Sequence, residues 1–85
     1  MKAIQTNTLF FDRCKAKLEM YIETGKNLIS KVWDDLWVTK NGNSIQFYNG
    51  CDLIVEISRG SYAENLETAV IWLLSGQRDP LKHYN

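Results

Sequence analysis

The chain has 85 residues, 45% apolar and 24% charged, with ten acidic side chains balancing ten basic ones. That length holds one core and no second domain, and the apolar content is too high for a disordered chain. A formal net charge of zero gives no general attraction for polyanions or membrane surfaces.

Residues 1–6 read as a short lead. A helix is expected from Asn7 or Thr8, both acceptable N-caps. Apolar or small residues then recur at Phe11, Cys14, Leu18, Tyr21 or Ile22, Gly25, Ile29, Val32 and Leu36, one stripe at helical spacing. Gly25 is the weak point, since Gly costs about 1 kcal/mol inside a helix and often follows a helix end. The choice is a single helix over 8–34 or a helix to about 24 and a second from Asn27. The unbroken stripe predicts continuity.

The stretch from Leu36 to Ser58 holds two Asn-Gly dipeptides between short apolar-alternating runs, a hairpin signal. Three antiparallel strands are expected near 36–40, 43–48 and 51–58. A two-residue turn at Asn41-Gly42 pairs Val38 with Ile45 and Leu36 with Phe47. A three-residue loop, Tyr48-Asn49-Gly50, pairs Phe47 with Cys51 and Ile45 with Leu53. The inward face is then Leu36, Val38, Ile45, Phe47, Cys51, Leu53, Val55 and Ile57. The outward face carries Trp37, Thr39, Ser44, Gln46, Asp52, Ile54 and Glu56.

Ser61-Tyr62-Ala63-Glu64 reads as a capping box. The helix it opens runs to about Ser75, with Gly76 as its left-handed terminus and an inward stripe of Ala63, Leu66, Val70, Leu73 and Leu74, which Ile71 and Trp72 flank and widen. Residues 77–85 form a tail. The expected fold is α+β, in the order α-β-β-β-α: a three-stranded antiparallel meander with a long N-terminal helix and a C-terminal helix on one face. This order is similar to that of double-stranded-RNA-binding domains. That family, however, needs lysines at the start of its last helix, where this chain has Glu64 and Glu67.

Catalytic and metal chemistry find little footing. His83 is the lone histidine and lies in the tail, without cysteine or histidine neighbours, so neither metal nor cofactor is expected. Asp34, Asp35, Asp52 and Glu56 are the candidate carboxylates. Asp52 and Glu56 would stand about 13 Å apart on one strand, too far to share a proton. No glycine-rich phosphate loop occurs. Cys14 and Cys51 fall at apolar positions, which predicts buried free thiols and a cytoplasmic setting. The longest apolar run, Ala69–Leu74, is far short of the about 20 residues of a bilayer span, and AIQTNTLFF after Met1-Lys2 is too polar for a signal peptide.

Exposed aromatic residues are the remaining signal. Trp37, Tyr48 and Ile54, with Gln46 beside them, would form an outward patch of the kind protein interfaces use. Arg13, Lys15 and Lys17 form a secondary basic patch. The expectation is a small non-enzymatic protein-binding module acting by surface occlusion, such as a stoichiometric inhibitor, an immunity protein or an anti-defence protein. The competing reading is a homodimeric nucleic-acid-binding regulator, with a small carboxylate enzyme third.

Overall fold

The structure, a computed structural model, describes residues 2–77, with side chains described from residue 9 onward. The element order is α1 (Lys2–Thr24), β1 (Leu36–Asn41), β2 (Ser44–Asn49), β3 (Asp52–Ile57) and α2 (Tyr62–Leu74). The strands form one antiparallel sheet in the order β1-β2-β3. This is the α+β arrangement that the sequence pattern predicts.

α1 starts at Lys2, so the stretch expected as a lead is helical from residue 2. Its stripe packs as expected: Leu18 is buried, and Phe11, Cys14, Tyr21 and Ile22 rest against the core. The helix does not continue through Gly25, contrary to the unbroken stripe. Thr24 turns its hydroxyl back to the Met20 carbonyl at 2.8 Å, and Gly25 adopts φ +64, the left-handed C-terminal position that glycine fills without steric cost. Residues 26–35 are then irregular, and Ile29, placed in the stripe by spacing, is 92% exposed. Leu28 and Trp33 pack on the core instead.

This irregular segment is well tethered. Leu28 N–H donates to Leu36 C=O at 2.8 Å, a one-rung bridge onto β1. The Ser30 hydroxyl accepts from the N–H groups of Val32 and Trp33 and donates to the Gln77 side chain. The Trp33 indole donates to the Gln77 carbonyl at 3.0 Å. Residue 77, expected to begin a loose tail, is therefore a fastening point; residues 78–85, including His83, lie outside the described residues.

Both hairpins form, but the first turn lies one position further along than predicted and the second is a two-residue turn in place of the predicted three-residue loop Tyr48-Asn49-Gly50. In the first, Asn41 pairs with Ser44, so Gly42 and Asn43 are the turn residues. Gly42 has φ +62 and Asn43 does not have positive φ, the type II′ pattern. Val38 thus faces Phe47 rather than Ile45. The slip is two residues, and two is the side-chain period, so every face assignment survives it.

The second turn is Gly50-Cys51, flanked by the Asn49–Asp52 pair, with Gly50 at φ +62. Continued regularly, that register would set Phe47 opposite Ile54 and Ile45 opposite Glu56, bringing a carboxylate into the core. An irregularity between Phe47 and Tyr48 absorbs one extra residue of β3, so that Phe47 pairs with Val55 and Ile45 with Ile57. A bulge of this kind inserts one residue into one strand and resets its alternation. Cys51 and Leu53, expected inward, are exposed as a result.

The core joins Leu36, Val38, Ile45, Phe47, Val55 and Ile57 of the sheet to Leu18 of α1 and to Leu66, Ala69, Val70 and Trp72 of α2. Both helices thus cover one face of the sheet. The capping box at Ser61 and Glu64 is present with both reciprocal hydrogen bonds. The buried side of α2 is rotated from the predicted stripe: Asn65, Ala69 and Trp72 point inward, while Ala63 and Leu74 are exposed. Trp72 sets this rotation, its ring centred 4.6 Å from that of Phe47. Ala69 and Asn65 follow because they lie one and two turns earlier, respectively, on the same side.

Candidate functional site: the helix-free face of the sheet

With both helices on one side, the opposite face of the sheet carries two rows of side chains that run across the strands. Trp37, Tyr48 and Leu53 are in register across β1, β2 and β3. Beside them Thr39, Gln46 and Glu56 are in register as well. At a strand spacing of about 4.8 Å the rows extend roughly 10 Å, and they lie roughly 7 Å apart.

The polar row is a hydrogen-bonded ladder. The Thr39 hydroxyl donates to Gln46 Oε1 at 3.1 Å, and Gln46 Nε2 donates to Glu56 Oε2 at 2.8 Å. Such cross-strand pairs satisfy one another beside solvent and hold the face in shape. Glu56 thus serves as an acceptor for Gln46, and Asp52 stands at the turn.

The apolar row has a different support. Trp37 Nε1 donates to Asp35 Oδ1 at 2.8 Å. Asp35 in turn accepts from Asn27 Nδ2 and is held by its own backbone, which accepts from Gly50 N–H and donates to Asn49 Oδ1. A carboxylate anchored at three other points fixes the indole in one orientation, and a charge-assisted bond is stronger than a neutral one. In the sequence Asp35 stands out only as one of four candidate carboxylates. Its clue was the spacing Asp35-x-Trp37, which puts both side chains on the same side of an extended chain.

Among the residues singled out from the sequence, the structure brings Trp37, Tyr48 and Gln46 together, all half-buried. Ile54 is not part of the row. It is the extra residue at the bulge, half-buried and packed against the core, and Leu53, 47% exposed, takes its place.

The basic patch on α1 is divided. Lys15 Nζ lies 3.1 Å from Glu67 and 3.5 Å from Asp12, and the hydrogen bond to Glu67 holds its ammonium above the usual lysine range. Lys15 therefore belongs to the contact between the two helices, while Arg13 and Lys17 are exposed. At the other end of that contact, Tyr62 donates to Glu19 at 3.1 Å and carries the Lys40 ammonium 4.4 Å over its ring. Burial, reinforced by Glu19, pushes the Tyr62 phenol up. Among the described residues, no group of three His, Cys, Asp or Glu side chains is placed to hold a metal ion, and no helix is long and apolar enough to cross a membrane.

Comparison with protein-family models, with curated proteins and with solved structures finds no match to this chain.

Proposed function

We propose that this chain is a small protein-binding module that occludes a surface of its partner with the helix-free face of its sheet. The observation that carries this reading is the row Trp37–Tyr48–Leu53, in register across all three strands beside a polar ladder. Aromatic anchors ringed by hydrogen-bonding groups are what protein interfaces are built from, and an indole already fixed by Asp35 loses little side-chain freedom on binding. An inhibitor-like or immunity-like role by stoichiometric occlusion is the form of function this geometry suits. Nothing in such a role requires chemistry from the chain.

The test is a tagged pull-down from the native host with three baits: the wild type, Trp37→Ala and Met20→Ala. Met20 is 49% exposed on α1 and serves as the surface control. A partner retained by wild type and by Met20→Ala but lost from Trp37→Ala supports the reading. Equal recovery on all three baits sinks it.

A further inference from the structure

A second recess lies away from the sheet face, between α1, α2 and the loop at Leu28. It is a cleft of about 130 Å³ open to solvent, and all of its wall surface is apolar. Cys14 and Tyr21 of α1, Leu28, and Leu73 and Leu74 of α2 form its sides. Lys17 is the one charged residue among those lining it. Cys14, Lys17 and Tyr21 are three and four residues apart, so they project from the same side of α1.

The size and chemistry of the cleft constrain its occupant. An enclosed apolar cavity of about 150 Å³ accepts one benzene ring, which sets the size of the apolar body that this open cleft can cover. Apolar wall atoms of an open cleft face water, and an apolar occupant removes that surface from solvent. The wall carries no polar surface, so Lys17 lines it with its methylene stem, and an exposed lysine of that length can bring its ammonium to the mouth. Lys15 is paired with Asp12 and Glu67, and among the described residues no ion pair engages Lys17. The wall thus calls for an apolar body and the rim for a negative end.

We propose that this cleft binds a small amphiphilic carboxylate. The occupant is a monoanion with one ring or a chain of about six to eight carbons, its hydrocarbon between Tyr21 and Leu73 and its carboxylate on the Lys17 ammonium. The site is independent of the sheet face and does not rest on the protein-binding reading.

Two cysteines make the experiment internally controlled, because Cys14 lines the cleft whereas Cys51 is exposed at the second turn. The full chain is titrated with octanoate while alkylation of each thiol by iodoacetamide is followed by mass spectrometry. Octanoate is expected to slow Cys14 alkylation with half-saturation between about 0.1 and 1 mM, the range for a ligand of this size, and to leave Cys51 unchanged. Lys17→Gln, a substitution at an exposed position, should weaken octanoate by up to about fivefold and leave octanol unaffected. Leu73→Trp, which fills the cleft, should abolish protection by both. Cys14 alkylation unaffected by octanoate up to about 10 mM would overturn the proposal. Equal affinities for octanoate and octanol, unchanged in Lys17→Gln, would overturn the carboxylate assignment. Protection of Cys14 that rises with protein concentration in the absence of octanoate would put a second copy of the chain in the cleft, and that too rejects the proposal.

Discussion

The two faces of this sheet are made from the same strands and follow different rules. On the covered face Leu36, Val38, Ile45, Phe47, Val55 and Ile57 are all apolar and all buried. On the open face Trp37, Tyr48 and Leu53 stand beside Thr39, Gln46 and Glu56. Burial against the helices explains every residue on the first face. On the second, the polar ladder is what a solvated sheet surface needs, whereas burial against the helices does not explain a half-buried tryptophan fixed by a carboxylate. The covered face therefore carries the core, and the open face holds large apolar groups that neither helix covers.

The largest expected effect comes from the covered face. Phe47 is fully buried against the Trp72 ring, so Phe47→Ala should cost about 3–5 kcal/mol in a urea melt. For a domain this small that is most of its stability. A loss below about 1 kcal/mol would mean that the covered face is not a closed core.

Asn65 is the polar exception on the covered side. It is buried, it accepts from Gly60 N–H at 2.9 Å, and it donates to the carbonyls of Asn43 and Gly60. These bonds tie the start of α2 to the first hairpin turn and to the loop after β3. Asn65→Leu keeps the branched shape but strands those backbone groups, with an expected loss of about 1–3 kcal/mol. A chemical-denaturation midpoint equal to wild type would show that water replaces the side chain.

The turn that aligns β3 comes next. Gly50 has φ +62, and an added Cβ would meet only Asp35 Oδ2, at an ordinary 3.7 Å. Gly50→Ala should therefore destabilise by about 1–2 kcal/mol through backbone strain alone. Thermal melts of Gly50→Ala and Ser58→Ala, an exposed substitution close by, separate this strain from any general sensitivity of β3. Indistinguishable melts would contradict the turn assignment.

Smallest in stability, and most telling for function, is Trp37→Ala. It should shift the melting curve by less than about 1 kcal/mol while removing partner recovery in the pull-down. A large stability loss from this variant would erase the distinction between the faces, because it would make Trp37 a core residue. Gln46→Ala should do still less, about 0.5 kcal/mol or below, since it breaks only a ladder beside solvent.

Much of this fold is written in short-range chemistry. The capping box Ser61–Glu64, the Gly-centred turns, the α1 stripe through Leu18 and the six buried strand residues follow from patterns spanning only a few positions, where local hydrogen bonds and periodic burial decide the outcome. Trp37, Tyr48 and Gln46 were legible as an outward group for the same reason. The rest was settled by contacts between distant parts of the chain. A two-residue slip leaves a period-two pattern unchanged, so turn geometry, and not the order of apolar residues, set Val38 against Phe47. The bulge arose because a regular continuation of the Gly50-Cys51 turn would bury Glu56, and it moved Leu53 outward and Ile54 onto the core. Ring packing between Trp72 and Phe47 rotated α2 and brought Asn65 inside, which no hydropathy pattern signals. α1 stopped at Gly25 although its stripe ran on, because Leu28 gains more by bridging to Leu36 and packing on the core than Ile29 would gain from another helical turn. Local pattern marks most of the side chains that are buried together; tertiary packing decides the exceptions, Leu53, Ile54 and Asn65, and which side chains meet.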